Sequence, residues 1–261
     1  MDNVRNKTVM VTGGAGGLGY KYAEILLRND AKSIAIIDLP TSNGENAATA
    51  LENEFGKSRA VFIACDVAKA EDLEKAFKKV IDTFETLDIL INNAGIFDDK
   101  YKWEETIDIN LKALIRGSYL ALDHMGKYNG GKGGLIVNVS SIVGLACYPP
   151  APVYTASKYA VLGFSQSLAG LYDKTGVRVL IMCPGVTKTP LLNNVEKIIH
   201  FVDMEYAEKH SLSSLQTADN VALAMLDLIQ KGKNGAAWVS EDAKPSFAVD
   251  FPHYTTRVLP V

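Results

Sequence analysis

Short β-branched runs alternate with helix-spaced apolar stripes along most of this sequence, and no repeat or long linker interrupts the alternation. That pattern predicts an α/β protein, a doubly wound parallel sheet with helices on both faces, in a single domain over residues 1–261. The apolar runs are Thr8–Thr12, Ser33–Asp38, Ala60–Cys65, Ile89–Asn92, Leu135–Val139 and Val177–Met182. Runs this short and this continuously apolar suit parallel strands covered on both sides. About seven strands are expected in all. Between them, Leu73, Phe77, Val80, Ile81 and Phe84 form one stripe of an amphipathic helix. Leu162, Leu168 and Leu171 belong to another long helical stretch that begins near Val153, and Asn129–Gly134 reads as an exposed turn between a helix and a strand.

Composition sets the outer bounds. Lys and Arg total 27 against 30 Asp and Glu, a formal net charge of −3, so no basic excess argues for a nucleic-acid partner. Hydrophobic residues at 48% and charged residues at 22% exclude wholesale disorder. No apolar run approaches the ~20 residues of a membrane-spanning helix. The first eight residues, with Asp2, Arg5 and Lys7, lack the apolar core of a signal peptide. The three cysteines, Cys65, Cys147 and Cys183, are odd in number and widely spaced, which reads as reduced thiols and neither a disulfide frame nor a metal site. A cytoplasmic protein without a metal is expected.

The first strand runs directly into Thr12-Gly13-Gly14-Ala15-Gly16-Gly17-Leu18-Gly19, and an apolar-periodic helix follows. Glycine allows a sharp turn and a close backbone approach to a pyrophosphate, and the next helix aims free N–H groups at it. A glycine cluster alone is equally a plain turn; its place between strand and helix favours a dinucleotide site. The second strand ends in Asp38, 19 residues past Gly19. A carboxylate there accepts hydrogen bonds from the adenosine ribose and repels a 2′-phosphate, while the next residue, Leu39, offers no cation. The expected cofactor is therefore NAD, with Asp38 as a simple strand-end turn residue the alternative.

Tyr154 and Lys158 are four residues apart near the start of a predicted helix and so share a face. A free phenol, with a pKa of about 10, is too weak a base at neutral pH, and a neighbouring ammonium is expected to lower that value. Thirteen residues before the tyrosine, the fifth run ends in Ser140-Ser141, at a strand end that faces the ligand crevice. Singly, each residue has an ordinary explanation: an exposed lysine, a turn serine, a core tyrosine. Their joint occurrence behind a dinucleotide loop points to proton transfer at a substrate oxygen.

Thr12–Gly19, Asn92-Asn93-Ala94-Gly95, Ser141 with Tyr154-x3-Lys158, and Pro184-Gly185-x3-Thr189 occur in order across nearly the whole chain. The sequence thereby resembles the classical short-chain dehydrogenase/reductases, single-domain Rossmann proteins. Within them it is most similar to NAD-dependent 15-hydroxyprostaglandin dehydrogenases and insect-type alcohol dehydrogenases. The resemblance implies an alcohol or ketone substrate, with Tyr154 as general base and Lys158 lowering its pKa and binding the nicotinamide ribose. It further implies that Ser141 positions the substrate oxygen and that Asn110, in the helical stretch Ile107–Leu111, holds a water of the proton relay. Gly13, Gly17, Leu18, Gly19, Gly95 and Pro184 complete the expected cofactor site. Asp66 and Val67 are to cap the adenine, Asn93 to lie near its ribose, and Thr187 and Thr189 to meet the carboxamide and phosphate side. Two residues depart from the prostaglandin-oxidising pattern: Ala151 stands for a glutamine and Val186 for a phenylalanine, which puts a prostaglandin substrate in doubt.

Leu191, Leu192, Val195, Ile198, Ile199 and Val202 have the spacing of one amphipathic helix, where the family carries a substrate lid, around residues 190–210. Such an apolar face suits a lipophilic alcohol over the nicotinamide; packing against the domain or a partner fits the pattern equally. The resemblance implies a homodimer or homotetramer, paired through the helices containing Asn110–Asp123 and Tyr154–Tyr172. The same residues also serve a carbonyl reductase, and a non-catalytic dinucleotide-sensing protein is the alternative from another class.

Overall fold

The computed structural model describes residues 4–193 and 195–258. The readings that touch residues 1–3, Asn194 and residues 259–261 lie outside it. Seven parallel strands form one sheet: β1 (Thr8–Thr12), β2 (Ser33–Asp38), β3 (Ala60–Ala64), β4 (Ile89–Asn92), β5 (Gly134–Val139), β6 (Val177–Pro184) and β7 (Ala237–Ser240). An eighth, β8 (Phe247–Val249), runs antiparallel along β7. The spatial order is β3-β2-β1-β4-β5-β6-β7-β8, so the winding reverses between β1 and β4. Ligand crevices form at such switch points, above the carboxyl ends of the strands. The sheet thus has one strand more than the seven expected, a short edge piece too polar in its surroundings to announce itself.

The helices are α1 (Gly17–Arg28), α2 (Gly44–Phe55), α3 (Ala70–Phe84), α4 (Trp103–Ile107), α5 (Leu114–Met125), α6 (Pro152–Ala169), α7 (Tyr172–Thr175), α8 (Val195–Ile198), α9 (Met204–Lys209) and α10 (Ala218–Lys231). The pleat sends Val9 and Val11 of β1 to one face, where they pack with Leu26 of α1, Leu51 of α2 and Met225 of α10. Met10 faces the other way, toward Phe77 of α3, Leu122 of α5 and Leu168 of α6. In α3 the buried stripe is Leu73, Ala76, Phe77 and Val80. Among the described residues no helix is long and apolar enough to cross a membrane.

One polar seam runs through this apolar interior. Asn92 Nδ2 on β4 donates to Asn138 Oδ1 on β5 at 2.9 Å and to Ser118 Oγ on α5 at 3.1 Å. Asn138 Nδ2 in turn donates to Ser165 Oγ on α6 at 2.9 Å. All four side chains are buried, so each bond spares a group that water cannot reach. The seam fixes α6 against the sheet, and α6 carries the residues that matter most below. We expect Asn138→Ala to lower unfolding free energy by about 1–3 kcal/mol in a urea titration, the cost of stranding buried partners.

Candidate active site

A cavity of about 760 Å³ opens above the carboxyl ends of the strands. Its first wall is the glycine loop. Gly13 sits at φ +64°, and a Cβ there would lie 2.9 Å from Ala94 Cα. The loop after β4 laces this turn in place: Thr12 Oγ1 accepts Asn93 N–H at 3.0 Å, and Asn93 Nδ2 donates to Thr12 O and Gly13 O at 2.9 and 3.1 Å. A methyl on Gly19 would overlap the Gly13 carbonyl oxygen, so Gly19 lets α1 seat against the loop. Gly16 has no atom near the position of an added Cβ, an open face toward the crevice.

Asp38 closes this end. Its Oδ2 accepts Ala15 N–H at 2.9 Å and its Oδ1 accepts Leu39 N–H at 2.8 Å, which locks the carboxylate to the glycine loop. Asp66 and Val67 border the same end. Among the described residues lining the cavity, Lys158 is the only cation, and it stands at the far end. A dinucleotide with free ribose hydroxyls fits this donor and acceptor set; a 2′-phosphate beside Asp38 meets a carboxylate and no compensating charge.

The second wall gathers the reactive side chains. Ser141 lies two residues past β5; its Oγ accepts Val143 N–H at 3.3 Å and donates to Pro184 O at 3.4 Å. Lys158 is 4% exposed, and its Nζ donates to Val139 O at 3.1 Å. That ammonium lies 5.5 Å from the centre of the Tyr154 ring. Burial lowers it to about 8, with Cys183 acting weakly the other way. Tyr154 departs from the sequence expectation. Burial pushes its phenol up to about 12; a hydrogen bond with Ser141 pulls it back and the Asp99 carboxylate pushes it further up. Desolvation of the phenolate dominates, while the Lys158 ammonium faces the ring and bonds the Val139 carbonyl.

Nearly every expected site residue meets in this one cavity: Gly13, Gly17, Leu18, Asp38, Asp66, Val67, Asn93, Gly95, Ser141, Tyr154, Lys158, Pro184, Thr187 and Thr189 all line it. Gly19 and Asn110 do not. Asn110 sits in a π-helical turn, Asp108–Ala113, between α4 and α5. Its Oδ1 accepts Ile96 N–H at 2.9 Å, while its Nδ2 donates to Ile96 O at 2.9 Å and to Ser157 Oγ at 3.2 Å. The amide is thus engaged in holding the loop after β4 and Ser157 of α6.

Comparison with known proteins agrees with this geometry. The short chain dehydrogenase family profile matches residues 7–199. The chain belongs to the short-chain dehydrogenase family. The rat 15-hydroxyprostaglandin dehydrogenase [NAD(+)] is 45% identical over 197 residues, 75% of this chain and 73% of that protein. The human enzyme of the same name is 44% identical over the same shares. Alcohol dehydrogenase 1 of Ceratitis capitata is 36% identical over 241 residues, 91% of this chain and 93% of its own. A solved short chain dehydrogenase of Burkholderia cenocepacia, in complex with NADP, superposes with a TM-score of 0.76 at 27% identity, covering 92% of this chain and 98% of that one.

In this short-chain dehydrogenase the segment over the cavity is not the single helix that the spacing of Leu191 to Val202 predicts. It breaks into a 3-10 turn (Pro190–Leu192), α8 and α9. Asn193 is extended, and Asp203 starts a new helix by accepting Tyr206 N–H at 2.8 Å. Leu191, Leu192, Val195, Met204 and Ala207 still face the cavity. Sequence reasoning missed three neighbours. Tyr148 donates its hydroxyl to Ala207 O at 3.3 Å and ties α9 down, and Phe97 packs at a tilt against Tyr154 with centroids 4.8 Å apart. The third, Asp99, accepts main-chain N–H groups of α6. No local signal marks any of them, since each acts on a partner more than 50 residues away.

Lys158 gives a pH test. Below about 8 it is charged in both folded and unfolded chains and the full burial penalty applies; between about 8 and 10.5 the folded chain binds fewer protons. Stability contributed by this site therefore rises with pH across that window. We expect Lys158→Met to be more stable than wild type at neutral pH, on the order of 3 kcal/mol, with the gap closing toward pH 10.5 in paired urea titrations.

Proposed function

We propose that this chain is an NAD-dependent dehydrogenase of secondary, lipophilic alcohols in which Tyr154 exchanges the hydroxyl proton. The observation that carries the reading is the convergence of Ser141, Tyr154 and Lys158 on one cavity whose other end is closed by Asp38. A bound NAD supplies the hydride acceptor. Ser141 holds the substrate oxygen, Tyr154 takes its proton as general base, and Lys158 holds the nicotinamide ribose. Asn110 keeps the relay loop in place. Asp38 receives the adenosine ribose, with Asp66, Val67 and Asn93 around the adenine end and Thr187 and Thr189 toward the carboxamide. The relatives named for NAD and for alcohol oxidation support the cofactor and reaction class. The apolar wall formed by Phe97, Ile142, Val186, Leu192 and Met204 supports a lipophilic substrate.

The reading extends to the whole chain as one cytoplasmic domain with a lid at about 190–210, acting as a homodimer or homotetramer. Exposed Tyr119 on α5 and Tyr159 on α6 support pairing through those helices. A second reading, carbonyl reduction, draws on the raised phenol: a Tyr154 that keeps its proton to about 12 is ready to donate it to a ketone.

NADH absorbance with isopropanol, sec-butanol, cyclohexanol and a long-chain secondary alcohol tests the assignment. Tyr154→Phe is expected to cut kcat by about 10²–10⁴-fold with NAD binding retained; near-normal turnover rejects the base. Asp38→Ser is expected to weaken NAD binding about tenfold and to narrow its preference over NADP, read by fluorescence titration of both reduced cofactors.

A further inference from the structure

Helix α6 begins without a cap of its own: Ala151 occupies the N-cap, makes no side-chain hydrogen bond, and is followed by Pro152. The free amides of its first turn need acceptors. Asp99, from the loop after β4, supplies them. Its Oδ2 accepts Val153 N–H at 2.6 Å and its Oδ1 accepts Tyr154 N–H at 2.9 Å. The residue is 6% exposed.

The same loop has three other holds on the site. Ile96 is gripped through both main-chain groups by Asn110, Phe97 lies on the Tyr154 ring, and Asp99 N–H donates to Ile198 O of α8 at 3.0 Å. Three residues within the stretch Ile96–Asp99 thus join the relay asparagine, the tyrosine and the lid. A neutral Ser, Thr or Asn would serve as a cap at lower cost than a buried carboxylate. Desolvation does raise the pKa of Asp99, the two amides oppose that, and Asp98 adds to it. The charge reaches the phenol as well, and among Tyr154's ionisable neighbours Asp99 is the one that pushes on it. Others on the cavity wall are Lys158 on the same helix, Tyr148 after β5, and Glu196 and Glu208 on the lid, while Cys183 of β6, fully buried, acts on Lys158.

Resting on the assignment of Tyr154 as the base, we propose that Asp99 is a positioning residue whose carboxylate sets the first turn of α6 and whose negative charge tunes proton transfer by the Tyr154 phenol. Removing the charge makes the phenolate easier to form. Removing the acceptor loosens the turn that aims the ring.

The test is the pH profile of kcat and kcat/KM for cyclohexanol oxidation in wild type, Asp99→Asn, Asp99→Glu and Tyr154→Phe, with thermal melts of each. Asp99→Asn removes the charge and one of the two acceptors. Its acid limb is expected to move to lower pH by up to about one unit, with kcat down about tenfold and KM for NAD within about twofold of wild type. Asp99→Glu, which keeps the charge, is expected to return the limb toward its wild-type position. A folded Asp99→Asn whose limb stays in place overturns the proposal and leaves Asp99 a simple cap. Should Asp99→Asn fail to fold, Asp99→Ser, a neutral capping residue, is read against the same outcomes. Tyr154→Phe separates the two layers: near-normal turnover there rejects the base itself, whereas a dead Tyr154→Phe with an unmoved Asp99→Asn limb rejects only the role of Asp99.

Discussion

A cation held out of water at the carboxyl edge of the sheet governs the design of this protein. Lys158 is buried on α6, and its ammonium donates to the carbonyl of Val139 at the end of β5. An isolated buried ammonium costs several kcal/mol, so the helix that carries it must be held by other means. Those means are visible. Ser140 Oγ donates to Lys158 O at 2.8 Å, Asn138 holds Ser165, and Asn110 holds Ser157. Three side chains, from β5, the residue after it and the π-helical turn, therefore grip one helix along its buried face, and the packing of Val161, Leu162 and Leu168 adds apolar burial. The stability of the surrounding fold is spent on keeping a charge where it is least comfortable and most useful.

The same economy explains the phenol. Burial works against both charges, lowering the ammonium and raising the phenol, so in the protein's own field both groups are drawn toward neutrality. Ser141 is the local group that favours the ionised tyrosine, and Asp99 the one that opposes it. A site poised in this way responds to small changes in charge, because each neighbour acts through little screening water. The loop Ile96–Asp99 matters for that reason: it delivers a ring, a carboxylate and a main-chain tether to the same few ångströms.

Much of this was legible in the residues. Buried parallel strands read as continuous apolar runs because both faces are covered, and β1, β2 and β4 match their runs to the residue. The glycine loop and Asp38 were legible because the backbone there has few alternatives. What the sequence hid is long-range or depends on burial. β8 is three residues at an exposed edge, with no buried face to leave a pattern. The lid segment kept helical spacing, yet Asn193 and Asp203 interrupt it, and a periodic stripe does not register a cap in its midst. The Tyr154-x3-Lys158 spacing revealed that two groups share a helix face, but it could not weigh the charge of one against the desolvation of the other. Asp99 was invisible as a cap because it adjoins its helix in space while lying more than 50 residues before it in sequence.

Recognition of substrate follows from where the departures fall. Ala151, at the position where prostaglandin-oxidising relatives carry a glutamine, is fully buried beneath the capped turn and does not border the cavity. Residue 151 thus contributes no polar anchor to the wall. Val186, in contrast, does border the cavity, and a branched aliphatic there leaves more room than an aromatic ring. On the proposed assignment, Ser141 and Tyr154 meet the reacting oxygen, with apolar side chains from Phe97, the 3-10 turn and α9 beside them and Tyr148, Glu196 and Glu208 also on the wall. On that assignment, such a pocket would orient a substrate chiefly through its reacting oxygen and select much of the remainder by shape and by the release of water. Each methylene that fits then contributes about 0.8 kcal/mol. Discrimination among chain lengths in such a site is graded, and the sharp distinction is reserved for the position of the oxygen.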